Sequence, residues 1–484
     1  MADEVELKLE LTSEAADAIE ASGVLAGDPE TARQKSIYFD TPDRDLAKHG
    51  LSLRIRWSDG KRVQTIKANG ASGVGLFTRS EWERPVADDT PILDDATPVR
   101  ALLGDDADAL APVFEVDIER RIWIISEQDT TIELVIDRGK VVAGERRTPI
   151  CEIELELKQG DPATLFALAH RLDAVAPVRL GVQAKAARGY ALLGPASTMA
   201  KAGRIDLSGE MTAAQAFRRI VQSCLLQFRL NEALLATGRH AGALHQARVA
   251  LRRLRSAFTI FKPLTGDADA DLRDGLRWLA SEFGDARNLD VLLERAGPGS
   301  FRDRLAGARE AAYDRVDTAL ASSRARQLMI DLAQRTSSEA GLDWADREGD
   351  GNPPVRAFAA KALRRFYGKV KKGGRDLADA DDRARHEVRK DAKKLRYATE
   401  FFEGLFERRG ERRRYKDFAV ALEVLQDRLG AINDLAIAPD ILGKLGIADD
   451  PDAAKLLSKG RKKSLIEGAE RASKDLFDVK RFWR

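Results

Sequence analysis

Through the first 190 residues, apolar and polar positions alternate in short runs. Val5-Glu6-Leu7-Lys8-Leu9-Glu10-Leu11, Leu51-Ser52-Leu53-Arg54-Ile55-Arg56 and Cys151-Glu152-Ile153-Glu154-Leu155-Glu156-Leu157 each put apolar groups on one face and charged groups on the other. That period of two predicts β-strands. Thr41-Pro42-Asp43, Ser58-Asp59-Gly60 and Asn69-Gly70 supply turns between strands, and helical spacing intervenes near 12–22 and 161–175. The pattern predicts an antiparallel sheet or closed barrel with a few helices.

Residues 192–210 are small and poor in large apolar groups, which marks a linker. Beyond it the period becomes helical to the end, with a break at 337–356 where Gly-Asp-Gly-Asn-Pro-Pro cannot continue a helix. The expected organisation is an α+β multidomain chain: a strand-rich domain at 1–195, a linker at 196–207, and an all-α domain at 208–480 with halves at 208–336 and 355–480.

The helical part repeats itself. His245-Gln-Ala-Arg248-Val-Ala-Leu-Arg252-Arg253-Leu-Arg255 returns 141 residues later as His386-Glu-Val-Arg389-Lys390-Asp-Ala-Lys393-Lys394-Leu-Arg396. Each copy is followed by a second shared element, around Asn288-Leu289-Asp290 and then Asn433-Asp434-Leu435. Two ordered matches indicate an internal duplication and two facing, pseudo-equivalent bundles.

Charge divides the chain the same way. Residues 1–200 hold 24 basic and 35 acidic side chains, a net of −11; residues 201–484 hold 56 and 43, a net of +13. The chain is 44% hydrophobic and 33% charged, and no apolar run approaches the ~20 residues a bilayer requires. Two cysteines make no disulfide framework, and the acidic start lacks a secretory signal, so a cytoplasmic protein with no membrane partner is expected.

In the acidic part, Glu4-x-Glu6-x-Lys8, Arg54-x-Arg56, Arg79-x-Glu81-x-Glu83 and Glu152-x-Glu154-x-Glu156-x-Lys158 each share a strand face. On an open sheet such faces would simply meet water. If the sheet closes, they line one lumen, where crowded carboxylates repel unless a cation compensates them. Mg²⁺ or Mn²⁺ is the natural compensator, and neighbouring Arg and Lys would hold phosphate oxygens. No Gly-x-x-x-x-Gly-Lys-Ser/Thr sequence is present; Gly70-Ala-Ser-Gly73-Val-Gly75 opens no helix and reads as a hairpin connection.

Together with Tyr38-Phe39-Asp40-Thr41, Thr65-Ile66-Lys67 and Asp137-Arg138-Gly139, these motifs resemble the CYTH domains, the triphosphate tunnel metalloenzymes. The resemblance implies an eight-stranded antiparallel tunnel with flanking helices that hydrolyses or cyclises triphosphates with a divalent metal. It makes Glu4, Glu6, Glu154 and Glu156 metal ligands, with Asp137 and Glu152 in the same cluster. Lys8, Arg54, Arg56, Lys67, Arg79, Lys185 and Arg188 would grip the triphosphate, with Arg120 preferred over Arg121. Lys8 or Tyr38 would position the attacking water or stabilise the leaving group. Alternation alone does not assign a general base.

In the basic part, His245, Arg248, Arg252, Arg255 and their counterparts His386, Arg389, Lys393, Arg396 fall within about 80° of one helical face. Arg253, Lys390 and Lys394 widen the stripe. Stacked like charges repel unless an anion covers them, and the absence of interleaved aromatics favours bare phosphates. A positive stripe does not separate phosphodiester from phosphoanhydride chains, so nucleic acid remains the competing partner. These helices resemble the CHAD, or conserved-histidine α-helical, domains. That resemblance implies two four-helix bundles around a groove for inorganic polyphosphate, with polyphosphate granules as a place of localisation. Asn288, Asp290, Asn433 and Asp434 are read as orienting helices rather than touching ligand.

The combined expectation is hydrolysis of inorganic triphosphate in the tunnel, with polyphosphate bound by the helical domain. Two alternatives stand beside it. One is a non-catalytic polyphosphate-binding protein; the other is an organic triphosphate enzyme, a nucleotide or thiamine triphosphate hydrolase or an adenylate cyclase.

Overall fold

A computed structural model describes every residue except 1–3, 69–74, 80, 128, 338–341, 343–351 and 457–458, and the side chains of 4, 77–79, 455–456 and 459–461. The chain divides into two units, 1–198 with 321–337, and 199–320 with 338–484.

In the first unit the alternating runs become one antiparallel sheet. Its strands are β1 (Glu4–Glu10), β2 (Glu30–Asp40), β3 (Leu51–Ser58), β4 (Lys61–Ala68), β5 (Leu76–Arg79), β6 (Glu81–Pro85), β7 (Ala111–Glu127), β8 (Thr130–Ala143), β9 (Arg146–Gln159) and β10 (Arg179–Leu180). Their order is β10-β1-β9-β8-β7-β2-β3-β4-β6, and β5 pairs with β1. β5 pairs with β1 and β6 with β4, which brings the two ends of the sheet together. Among the described residues the sheet counts ten strands, of which β10 is two residues long.

The barrel has apolar groups on two sides: most point outward under helices, and Phe114, Val116, Ile118, Val141 and Ile150 form a second cluster on the lumen face beneath α5. Phe39, Leu53, Ile55 and Ile66 pack under α2 (Asp45–Lys48) and α3 (Pro98–Leu103), after α1 (Ser13–Glu20) has crossed from β1 to β2. On the other side, α4 (Ala163–Val175) packs against β1 and β9, where Leu7, Leu9, Ile153 and Leu155 are fully buried. Each such side chain stabilises the wall by about 1.5–3 kcal/mol. The charged positions are therefore left facing the lumen. Asp59 (φ 50°) and Gly60 (φ 78°) form the left-handed two-residue turn that fixes β3 against β4, setting Arg54 opposite Thr65 and Arg56 opposite Val63.

One end of the barrel is closed by α5 (Lys185–Leu192). Buried Asp40 accepts hydrogen bonds from the backbone N–H groups of Leu46 and Ala47 at the start of α2 and from the Tyr190 hydroxyl of α5. Gly189 lets α5 lie directly on Phe114, whose ring stacks on Tyr38 with 4.6 Å between centroids.

The second unit holds α6 (Ala213–Leu235), α7 (Ala241–Thr265), α8 (Ala270–Arg295) and α9 (Ser300–Ala321) as one group of four. Thr212 and Gln215 form a capping box at the start of α6. After α10 (Ser323–Arg335), the chain forms α11 (Val355–Gly373), α12 (Asp382–Phe401), α13 (Arg409–Lys444), the short α14 (Pro451–Leu456) and α15 (Lys459–Asp478). The two histidine helices, α7 and α12, pack against each other at the centre. Phe261 stacks on Phe358 at 4.5 Å and joins the two groups through their cores. Among the described residues no helix is long and apolar enough to cross a membrane.

Sequence period places α10 at the end of the first helical half, but it packs in the tunnel unit, on α4 and β10. Leu328, Met329, Ile330 and Leu332 are buried there, and a buried charge is matched. Asp173, in the last turn of α4, takes its cation from Arg326 on α10, and both are under 10% exposed.

Gly189→Ala should test how α5 is seated. A Cβ there would lie 2.1–2.5 Å from Phe114 ring atoms, so overpacking should cost about 1–3 kcal/mol, read by urea unfolding.

Candidate functional site

Register lays the lumen out in rows. Glu10, Glu152, Asp137 and Arg120 stand opposite one another across β1, β9, β8 and β7; Lys8, Glu154 and Val135 form the next row, and Glu6, Glu156 and Glu133 the one beyond. Across the barrel, Tyr38, Arg54, Thr65 and Glu83 form one row, and Ser52, Lys67 and Glu81 another. They enclose a cavity of about 790 Å³ lined by seven basic side chains (Lys8, Arg54, Arg56, Lys67, Arg120, Lys158, Lys185) and six acidic ones (Glu6, Glu81, Glu83, Glu133, Glu154, Glu156). The side formed by β1, β9, β8, β7 and α5 carries four of the carboxylates together with Lys8, Arg120, Lys158 and Lys185, and the facing side carries Arg54, Arg56 and Lys67 with Glu81 and Glu83.

At the closed end the charges are locked together. Lys185 Nζ lies 2.6 Å from Asp137, 2.6 Å from Glu152 and 2.8 Å from Glu154. Arg120 grips Asp137 bidentately at 2.8 and 2.6 Å and reaches Glu154 at 2.7 Å. Lys8 pairs with Glu154 and stands 2.5 Å from Glu6. Burial alone would raise the Glu154 pKa, but Lys185, Lys8 and Arg120 outweigh it and hold it well below the ordinary carboxylate range. Glu6 goes the other way, raised by burial and then by Glu154. Lys8 and Lys185 are each penalised by burial, yet the surrounding carboxylates keep their pKa above the usual lysine value, so both remain ammonium.

The structure thus separates residues that the sequence grouped. Asp137 and Glu152 converge with Glu154, their oxygens within 4.8 Å of one another, but Arg120 and Lys185 hold them beneath the cavity rather than along it. Arg188 is also no lining residue: it binds Glu10 at 2.7 Å and Glu152 at 3.4 Å. Arg121, one slip from Arg120, points outside to Glu20 and Glu119, while Arg120 lines the cavity. The side chains of Glu4 and Arg79 lie outside the described residues, although their backbones pair β1 with β5. Most of the Gly70–Gly75 connection also falls outside them.

Among the charged lining residues, Glu133 was not read from the sequence, and Glu81, Glu83 and Lys158 were placed on a lumen face without an assigned role. Lys158 sits 2.6 Å from Glu156 and 3.6 Å from Glu133. Glu6, Glu156 and Glu133 stand side by side on three adjacent strands, an arrangement of like charges that is destabilising without cations. Their all-oxygen donors, with Glu6 pushed toward its neutral form, fit a hard divalent ion. Opposite them, Arg54 lies beside the Tyr38 hydroxyl, and its buried Nε has no hydrogen-bond partner. That is a donor left for an anion.

In the helical unit, His245, Arg248 and Arg252 on α7 share a positive field with Arg287 on α8 and Arg389 and Lys393 on α12. Burial first, then Arg252, Arg389 and Arg248, pushes the Lys393 pKa down to about 6. His245 falls to about 4 through burial and then Arg287, Arg252 and Arg248. The buried His245 Nδ1, Arg252 Nε and Arg389 Nε have no hydrogen-bond partners. Such a cluster, short of acids, is built to receive an anion. The copies are not identical, because His386 Nδ1 meets Asn433 Oδ1 at 3.0 Å. Asp290 is held by Arg309 and Tyr313, a helix-orienting role.

The stripe itself needs trimming. Arg253 is 1% exposed, donates to Gln227 at 2.8 Å and lies 3.0 Å from Glu400, so it braces α7 against α12 instead of facing a ligand. Lys390 and Lys394 are engaged along α12 by Glu387 and Asp391. Arg255 and Arg396 are exposed at the far end of the stripe; Arg396 reaches Gln426 at 3.5 Å. Arg287, which the repeat of the histidine helices does not contain, joins from α8.

Comparison with known proteins agrees with this geometry. Residues 2–190 match the CYTH domain family, and residues 219–443 match the CHAD domain family. The chain carries a CYTH domain followed by a CHAD domain. The CYTH region is similar to a Haemophilus influenzae protein described as an inorganic triphosphatase, 35% identical over 164 residues, 32% of this chain. The chain covers 45% of that relative's length. An uncharacterised Mycobacterium tuberculosis protein is 28% identical over 409 residues, spanning 76% of this chain and 75% of that one. The crystal structure of the CHAD domain from the plant Ricinus communis is 27% identical, covering 59% of this chain and 98% of that one, with a TM-score of 0.48.

The opposed pKa directions of Glu6 and Glu154 predict opposite substitutions. Glu154 contributes stability above the unfolded carboxylate pKa of about 4.3 and loses it as pH falls through its lower folded value; Glu6 costs stability as pH rises above the same point. At pH 7, without metal, Glu154→Gln should lose about 3 kcal/mol or more, whereas Glu6→Gln should match or exceed wild type. Chemical denaturation at pH 7 and pH 4 reads both.

Proposed function

We propose that the CYTH domain hydrolyses inorganic triphosphate to pyrophosphate and phosphate, and that the CHAD domain binds inorganic polyphosphate. The observation that carries the first part is one lumen that holds Glu6, Glu133, Glu154 and Glu156 across from Arg54, Arg56 and Lys67, with further cations at Lys8, Arg120 and Lys185. A triphosphate with its metal is the chemistry that needs both: oxygens for the metal and cations for the phosphates. The Haemophilus influenzae relative supports the reading.

Glu6, Glu154 and Glu156, with Glu133 beside them, would hold Mg²⁺ or Mn²⁺, which supplies charge neutralisation and polarises a phosphoryl group when bound. Arg54, through its unpaired Nε, and Arg56, Lys67 and Arg120 fix the phosphate oxygens and stabilise charge building on them during transfer. Water adds at a terminal phosphorus, and the bond to the bridging oxygen breaks, releasing pyrophosphate and phosphate. Lys8 stays protonated among Glu6, Glu152 and Glu154, so its part is electrostatic and not that of a base. Tyr38, stacked on Phe114, positions Arg54. Tyr38 is the only aromatic lining the cavity among the described residues, which leaves little to stack a base and favours inorganic over organic triphosphates.

Phosphate release from tripolyphosphate should require Mg²⁺ or Mn²⁺, fall at least ~100-fold in Arg54→Met, and exceed release from ATP. ATP turning over faster than tripolyphosphate would make the tunnel a nucleotide enzyme. No release with either metal, from protein that still binds polyphosphate, would make this a binding protein.

For the CHAD domain, the carrying observation is the acid-poor cluster of His245, Arg248, Arg252, Arg287, Arg389 and Lys393. Lys393 is largely neutral at pH 8 in the free protein; a bound polyanion would charge it, so binding takes up a proton. Affinity should therefore weaken as pH rises from about 6.5 to 8.5, by at most ~10-fold per unit for one linked proton. Lys393→Arg should flatten the profile, and a flat wild-type profile would refute the linkage. Competition with DNA separates polyphosphate from nucleic acid.

A further inference from the structure

Helix α10 lies in sequence at the end of the first CHAD half, yet it packs in the tunnel unit. Its Arg326 Nε donates to Asp173 Oδ1, and Ser323 Oγ donates to Asp173 Oδ2 at 3.2 Å. Asp173 is 5% exposed and Arg326 8% exposed. The same Asp173 Oδ1 accepts the backbone N–H of Val178 at 3.2 Å, anchoring the turn that leaves α4 and enters β10. An unneutralised carboxylate at a helix C-terminus is disfavoured by the helix dipole and by burial, so this anchor depends on the arginine.

Directly beyond that anchor the chain reaches the tunnel's basic machinery. Leu180 pairs with Leu9, and the Gly181 N–H donates to the Lys8 carbonyl at 2.8 Å. Gly181 permits this approach, since a Cβ there would sit 3.0 Å from the Lys8 Cβ. The Lys8 N–H in turn donates to Gly75 O at 2.9 Å. Four residues after Gly181 comes Lys185, at the head of α5 and inside the Asp137–Glu152–Glu154 cluster. One short segment, 178–185, thus sets the backbone of Lys8 and carries Lys185.

We propose that Arg326 is a positioning residue for the tunnel reaction: through Asp173 and segment 178–185 it holds Lys8 and Lys185 in place. This rests on the triphosphatase reading above. It also means that the end of the first CHAD half supplies part of the tunnel's support.

The test uses the full chain. Arg326→Met keeps the length and apolar stem but removes the charge. It should lower kcat for tripolyphosphate about tenfold with KM changed less than about threefold, and Arg326→Lys should recover most of the loss. Asp331→Asn is the matched control: it sits on the same helix and pairs at 2.9 Å with part-exposed His170, away from Asp173. It should leave kcat within twofold of wild type. Hydrogen exchange gives a readout independent of activity, with the Lys8 and Gly181 amides exchanging at least tenfold faster in Arg326→Met while the amides of α7 and α12 do not change. Should Arg326→Met prove too unstable, Ser323→Ala removes the second bond to Asp173 and should give the same changes in smaller measure. Unchanged kcat and unchanged exchange at both amides would overturn the proposal, as would an equal loss in Asp331→Asn. An inactive wild type would sink the triphosphatase reading instead, leaving the exchange result to decide whether Arg326 sets segment 178–185.

Discussion

The constraint on which the tunnel depends is charge balance inside a closed sheet. Seven cations and six carboxylates line one lumen, and a second tier of Asp137, Glu152, Glu10 and Arg188 lies beneath its closed end. None of these groups could be buried alone, because an isolated charge in a low-dielectric interior costs far more than the fold can offset. Each is tolerable only beside its neighbours, so most of the apolar groups are pushed outward under helices and α5 must deliver Lys185 to the closed end. A barrel of this kind has most of its core on its outside and a network of paired ions on its inside.

That balance also separates structure from chemistry. Where pairing is complete, as for Asp137 between Arg120 and Lys185, the side chains fix the shape of the site. Where a polar atom has no partner among the described residues, as at Arg54 Nε, the protein keeps electrostatic capacity for something it does not itself contain. The same division runs through the CHAD domain. Arg253 has Glu400 and Gln227 and belongs to the packing; Arg248, Arg252 and Lys393 crowd one another with few acids.

Much of this was legible in the sequence. A period of two with charge on one face places Glu6, Lys8, Arg54, Arg56, Glu154 and Glu156 together as soon as the sheet closes, because register does the rest. Glu133 was not legible. It shares its face with Val135, and an apolar residue there breaks the alternation, while a bulge between Thr131 and Ile132 shifts the register. Arg188 and Arg253 were overread for the opposite reason: a basic residue at the right spacing does not show whether an acid is waiting for it. Arg188 meets Glu10, 178 positions away, and Arg253 meets Glu400, contacts between segments whose pairing local spacing does not encode.

Helix α10 shows the same limit at the scale of a domain. Its helical period is plain, and its place in the chain assigns it to the CHAD region, where the neighbouring helices go. It buries Leu328, Met329, Ile330 and Leu332, and it also brings Arg326 to Asp173, which closes α4, holds the entry to β10 and lies more than 150 residues earlier. Domain boundaries drawn by sequence period follow where helices begin and end. The boundaries of the folded units follow where buried side chains, apolar and charged, find their partners, and in this chain the two criteria part company at residue 321. A helix from the end of the first CHAD half is thereby committed to the tunnel unit, where it packs on α4 and β10.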